Sequence, residues 1–173
     1  MKIYNNPNLN RKHRNGVIAI GNFDGIHLGH QKVINEAKKK AKKNKLPFGL
    51  MTFEPVPVMF FNNKIKNHRI SSLEQKKDQL KKLKLDFLII INFNKNFSSL
   101  SAEEFIEKII YKKTNCRFLY VSKNFRFGLK RKGNIETLKK YEKQYNFKNV
   151  IVKPFITKRK IISSTFIRKK IIK

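Results

Sequence analysis

The stretch that decides the fold is Val17-Ile18-Ala19-Ile20-Gly21-Asn22-Phe23-Asp24-Gly25-Ile26-His27-Leu28-Gly29-His30. Its apolar head, residues 17–20, reads as a short buried strand. Asp24-Gly25 is turn chemistry, and the segment from His30 through Ala41 has helix-forming composition with neither Gly nor Pro. A strand therefore ends in a glycine-rich turn that opens into a helix. The free N–H groups and positive dipole end of such a helix attract phosphate, and glycines let a backbone approach a ligand without Cβ interference. His27 and His30, three apart, can face one side and offer ring N–H donors to phosphoryl oxygens. A lone His-x-Gly-His leaves open an ordinary turn followed by a solvated histidine pair. The strand, turn and helix around this one favour phosphate.

Outward from this turn, strand and helix signals alternate. Residues 1–15 are polar and Asn-rich, a weakly ordered lead-in or an edge segment. The first helix carries Val33, Ile34 and Ala37 on one side and ends in a lysine run, favourable at a helix C-terminus. Phe48–Phe53 reads as a second strand, closed by Glu54-Pro55-Val56-Pro57. Residues 58–61, Val-Met-Phe-Phe, fit either core or a pocket wall. Ser71 and Glu74 have capping-box spacing, ahead of a helix with Leu73, Leu80 and Leu83; Ser101 and Glu104 repeat the pattern ahead of Phe105, Ile106, Ile109 and Ile110. Residues 86–91 form a third strand, apolar enough to be buried on both faces, and 118–121 a fourth. A loop at 122–133 holds two aromatics and five basic residues; a polar helix spans 134–145 and a fifth strand 150–152. The last helix is expected after Ser163-Ser164-Thr165. The alternation predicts an α/β fold: a five-stranded, mostly parallel sheet with helices on both faces. The loops at 21–30, 53–57, 122–133 and 163–168 then gather beyond the carboxyl ends of the strands, where such folds bind ligands.

Length and composition bound the alternatives. The 173 residues suffice for one domain with a proper core. Forty-one Lys and Arg against 11 Asp and Glu give a formal charge of +30, which can signal a polyanionic partner. Yet the lysines run along the whole chain together with Asn, Ile and Phe, the bias that A- and T-rich codons produce, so nucleic acid is not the favoured partner. The single cysteine, Cys116, excludes an internal disulfide and a multi-cysteine metal site. No apolar run approaches membrane-spanning length and no signal peptide is visible, so a cytoplasmic protein is expected; a monomer is compatible with the sequence, which does not determine oligomeric state.

Four blocks together resemble the bacterial FAD synthetases, the adenylyltransferase half of the bifunctional riboflavin kinase/FAD synthetase family: residues 21–30, Thr52-Phe53-Glu54-Pro55, Phe125-Arg126-Phe127-Gly128, and Ile162-Ser163-Ser164-Thr165-Phe166-Ile167-Arg168. The resemblance runs from about Gly16 to the C-terminus. It implies a Rossmann-like nucleotidyltransferase fold and transfer of AMP from ATP to the phosphate of FMN, giving FAD and pyrophosphate. Gly21, Asn22, Phe23, Asp24, Gly25, His27 and His30, with Ser163, Ser164, Thr165 and Arg168, are the expected ATP-binding set. His27, His30 and Arg168 are the expected catalytic residues. Phe53, Pro55, Asn124, Phe125, Arg126 and Phe127 are expected at the flavin. Magnesium is expected on the phosphates rather than in a protein cage. Each residue also has a plainer role: the serines as helix caps, Arg168 as a surface charge, Asp24 as a turn residue, the phenylalanines as core.

The chain departs from the family pattern at three places. Ser122-Lys123-Asn124 stands where a glycine, an acid and an aspartate are usual, and Val56 stands where histidine is common. Only residues 169–173 follow Arg168, so the whole chain is expected to be one adenylyltransferase domain without a riboflavin kinase module. Two alternatives remain: a nucleotidyltransferase of different acceptor specificity, and a catalytically decayed basic protein that binds anions or nucleic acid.

Overall fold

The computed structural model describes residues 1–62, 69–157, 160–161 and 167–168; for 156, 157, 160 and 161 it describes the backbone alone. The elements are β1 (Lys2–Tyr4), β2 (Val17–Ile20), α1 (Leu28–Asn44), β3 (Phe48–Glu54), α2 (Pro57–Phe61), α3 (Leu73–Lys81), β4 (Phe87–Asn92) and α4 (Lys95–Ser98). After these come α5 (Ala102–Glu104), continued by wider π-type turns over Phe105–Thr114, then β5 (Phe118–Ser122), α6 (Ile135–Tyr141) and β6 (Lys148–Val152). A short antiparallel pair, β7 (Ile156–Thr157) and β8 (Lys160–Ile161), follows.

The main sheet has six strands in the order β1-β4-β3-β2-β5-β6, all parallel. The expected count of five falls short by β1. That strand has three residues, of which Tyr4 alone is buried, and it pairs at the sheet edge with Phe87, Leu88 and Ile89. So short a strand in an Asn-rich segment carries no periodic signal, and pairing with β4 is what creates it.

The pleat divides the core into two layers. Ile18, Ile20, Met51, Ile89, Ile91, Leu119 and Val121 pack with Phe105, Ile106, Ile109 and Ile110 on one face. Val17, Ala19, Leu50, Leu88, Ile90 and Tyr120 pack with Val33, Ile34, Ala37 and Leu80 on the other. Adjacent residues of β2 thus serve opposite layers, so an uninterrupted apolar run is what a doubly covered parallel strand requires. Cys116 is buried, and burial pushes its thiol up to about 12, which leaves it an inert core group.

The second capping box, Ser101 with Glu104, forms as expected: each backbone N–H is held by the other's side chain at 2.9 and 3.0 Å. The first is displaced by one residue, to Ser72 and Gln75. Ser71 Oγ instead accepts the Gly25 N–H at 3.2 Å, so a tertiary contact takes the hydroxyl that local spacing assigned to the cap.

Chain order β2→β3→β4 proceeds to one side of β2 and β5→β6 to the other, so the direction reverses between β2 and β5. The loops after β2, β3 and β5 open at that crevice.

At Gly49 of β3, a Cβ would lie 2.2 Å from the ring of Phe87, which is fully buried on the neighbouring strand. Gly49→Ala is therefore expected to cost roughly 1–3 kcal/mol of overpacking, read as a lowered urea midpoint at unchanged m-value.

Candidate active site

The turn after β2 uses a backbone that most residues avoid. Phe23 (φ 45°), Gly25 (φ 73°) and Ile26 (φ 35°) all have positive φ. Held-in strain of this kind costs on the order of 1–3 kcal/mol per non-glycine residue and persists only when surrounding contacts determine it. Phe23 and Ile26 are themselves buried in the core, and polar contacts hold the backbone between them. The Asp24 carboxylate, 1 % exposed, accepts the N–H groups of Ile70 (2.9 Å) and Ser71 (3.1 Å) on Oδ1, and on Oδ2 the Arg168 guanidinium at 2.8 Å. Gln31 donates its side-chain amide to the Ile26 carbonyl at 3.0 Å. The Asn22 carbonyl accepts from the Thr52 hydroxyl at 3.0 Å and from the Lys76 ammonium at 2.9 Å. Gly25 admits no other residue: besides its φ, a Cβ would lie 2.6 Å from Ile70 Cγ2.

This turn delivers α1 with its N-terminus toward the crevice. His27 is the N-cap, and its Nδ1 accepts the His30 N–H over a long 3.4 Å. That bond assigns the His27 ring proton to Nε2 in the neutral form. The two imidazoles stack with centroids 3.7 Å apart, and Phe23 meets His30 edge-on at 5.4 Å. Burial lowers the pKa of both histidines. His30 falls to about 3, from burial first and then from the neighbouring His27, Lys76 and Arg168, with Asp24 opposing. Its buried Nδ1 has no hydrogen-bond partner among the described residues.

The histidines line a cleft of about 880 Å³, a volume suited to a substrate of nucleotide size. Gly21, Asn22 and Phe23 line it on the β2 side; Asn124, Phe125, Arg126 and Phe127 line it from the loop after β5. Phe53 at the end of β3 joins Phe93 and Phe97 in a run of ring contacts 5.6–6.0 Å apart. Val58 and Phe61 of α2 also face the cleft, so of residues 58–61 these two are pocket wall, and none of the four is buried. Phe125 and Phe127 stack at 5.4 Å. The charged groups on the lining are all cationic among the described residues: Lys123, Arg126, Lys130, Arg131 and Lys153.

Four expected site residues are not on this lining: Asp24, Gly25, Pro55 and Arg168. Asp24 is enclosed by the turn it holds, and Arg168 reaches it from 144 positions along the chain. Ser163, Ser164 and Thr165 lie outside the described residues.

Phe93 and Phe97 were not singled out by sequence reasoning, and neither was Lys76. Lys76 is 2 % exposed, and burial lowers its pKa, with Glu54 and Asp24 opposing. One signal pointed to it: Lys76 shares the helical face of Leu73 and Leu80, where an amphipathic helix has no use for an ammonium. In a chain with 41 basic residues that signal is easily lost.

A parallel α/β sheet with a His-x-Gly-His helix start at its switch point defines a protein of nucleotidyltransferase fold. The model of the family described as FAD synthetase matches residues 9–166, and the chain belongs to that family. A bifunctional riboflavin kinase/FMN adenylyltransferase from Buchnera aphidicola subsp. Schizaphis graminum is 45 % identical over 94 % of this chain and 52 % of its own length. The chain thus spans about half the length of the curated relatives it matches. A crystal structure described as a macrolide-efflux protein from Streptococcus pneumoniae superposes with a TM-score of 0.82 at 29 % identity, covering 98 % of this chain and 55 % of that one. Pantoate-beta-alanine ligase from Francisella tularensis, at 16 % identity, shares the fold with a TM-score of 0.63, over 97 % of this chain and 73 % of that one. Among the described residues no helix is long and apolar enough to cross a membrane.

The depressed pKa of His30 has a definite sign. The ring takes a proton near pH 6.5 in the unfolded chain and near 3 in the folded one. Its contribution to stability is therefore complete above about pH 6.5 and is lost as pH falls toward 3. Ring ¹H–¹⁵N spectra are expected to show His30 neutral from pH 7 down to about 4, and His30→Gln is expected to flatten the fall in urea midpoint over that interval.

Proposed function

We propose that this chain transfers AMP from ATP to the phosphate of FMN, releasing pyrophosphate and FAD. The observation that carries this reading is one cleft that joins the His27/His30 pair, at the N-terminus of a 17-residue helix, to the Phe125-Arg126-Phe127 loop and an aromatic wall. Adenylyl transfer requires little covalent chemistry from the protein. An oxygen of the FMN phosphate attacks the α-phosphorus in line, and the bond to pyrophosphate breaks. What is needed is alignment and stabilisation of the charge that develops on the α-phosphoryl and leaving oxygens. The neutral histidines supply ring N–H donors, and the α1 N-terminus supplies backbone N–H groups and its dipole. Arg126, Arg131 and Lys153 favour the phosphates, and the rings of Phe53, Phe93 and Phe97 suit a flat apolar heterocycle.

Arg168 acts in this scheme from behind the turn, through Asp24, and Ser163, Ser164 and Thr165 are proposed at the nucleotide phosphates. Pro55 bounds the flavin side without lining the cleft. Magnesium would arrive on the ATP phosphates: the described lining offers it no carboxylate, and Asp24 is engaged by two amides and a guanidinium. Asn124 occupies its family position at the cleft with an amide in place of a carboxylate. The curated relatives' names pair this transfer with riboflavin phosphorylation, and the transfer is the part proposed for this chain.

Purified protein given FMN, ATP and Mg²⁺ is expected to form FAD, followed chromatographically, while nicotinate mononucleotide and phosphopantetheine are not adenylylated. His27→Ala and His30→Ala are each expected to lower kcat by about 100-fold or more with the melting curve retained. Adenylylation of one of the other acceptors in preference to FMN would reassign the substrate.

A further inference from the structure

Lys76 is a buried cation that Glu54 and Asp24 favour from a distance but that pairs with neither carboxylate among the described residues. Two carboxylates lie beneath the turn, and each has its own partner among the described residues: Asp24 is paired with Arg168, and Glu54 with Arg69. Lys76 donates instead to neutral oxygens, the Asn22 carbonyl at 2.9 Å and, more weakly, the Thr52 hydroxyl at 3.5 Å. An ammonium 2 % exposed that makes no ion pair among the described residues is costly to keep, and a methionine would fill the same aliphatic space.

Its geometry explains the cost. Orientation of the Asn22–Phe23 peptide sets ψ of Asn22 and φ of Phe23. Two donors on the Asn22 carbonyl, Thr52 and Lys76, fix that peptide in the orientation that puts Phe23 at φ 45°. Without them the peptide can flip and return Phe23 to the ordinary negative-φ region. Phe23 in turn packs edge-on against His30, and Asn22 itself lines the cleft.

We propose that Lys76 is a positioning residue for phosphate binding: its ammonium holds the Asn22 carbonyl and thereby sets the left-handed turn that aligns His27 and His30 with the cleft. It also leaves one positive charge beneath the turn in excess of the carboxylates described there, which a bound phosphate chain offsets across the turn backbone. The inference rests on the reading of this cleft as an ATP site; it does not require the acceptor to be FMN.

The test compares wild type with Lys76→Met and Lys76→Gln. Each protein is titrated calorimetrically with Mg²⁺ and the α,β-methylene analogue of ATP, without acceptor. Thermal melting and the KM for FMN are measured alongside. Lys76→Met is expected to melt cooperatively, because Thr52 still satisfies the Asn22 carbonyl, and to bind the analogue at least about tenfold more weakly at an unchanged KM for FMN. Lys76→Gln, which keeps an N–H donor, is expected to recover part of that loss. Unchanged analogue affinity in a folded Lys76→Met overturns the proposal, as does an equal loss in FMN binding, which would mark a general structural role. If Lys76→Met does not melt cooperatively, Lys76→Gln decides by the same split. A wild type that binds the analogue but forms no FAD refutes the acceptor assignment alone, whereas a wild type that does not bind it refutes both.

Discussion

The cleft depends on the carboxylate of Asp24. A strand at the centre of a parallel sheet can leave in many directions, and this one leaves through three residues at positive φ, two of them not glycine. Local preference opposes that path, so the turn exists because something outside it holds it. Asp24 does so with two backbone amides from the lead-in to α3 and a guanidinium from the far end of the chain. A buried carboxylate is tolerated only when fully satisfied, and the same satisfaction ties three separate segments into one unit. The turn is thus held from two sides, by charged hydrogen bonds at Asp24 and by burial of Phe23 and Ile26 in the core.

The sheet supplies the complementary half. Because strand order reverses between β2 and β5, two loops distant in sequence are forced to face one another. One brings helix-terminal N–H groups and neutral imidazoles; the other brings arginine and lysine interleaved with phenylalanine. A cleft with cations and rings but no described carboxylate on its lining draws an anionic, partly aromatic molecule and orients it.

Much of this was legible in the sequence because the signals were local and strong. The apolar run of β2, the glycine turn and the histidine pair fix fold and site together, and the stripe at Phe105, Ile106, Ile109 and Ile110 is buried as its spacing requires. What escaped was decided over distance. β1 is a strand because β4 offers it an edge. Ser71 leaves its cap because Gly25 lies near it in space. Asp24 reads within its motif as either a nucleotide contact or a turn residue, and the choice between them is made by Ile70, Ser71 and Arg168, which converge on its carboxylate. Lys76 is disguised by the abundance of lysine around it, and only its helical face distinguishes it.

The separation of Asp24 from Arg168 has a consequence for how the molecule comes into being. Their ion pair closes a loop of 144 residues, the longest-range of the side-chain contacts described. Contacts so distant in sequence form late, since chain entropy opposes them until intervening elements have packed. The β2–β3–β4 half can assemble from residues 17–92 before the switch-point strand β5 exists. The binding surface, by contrast, needs β5, its loop and the Arg168 segment before the turn acquires its full set of anchors. During synthesis, then, competence for ligand trails behind the appearance of the fold. A growing chain passes through a stage in which a recognisable sheet is present and the cleft is still unmade.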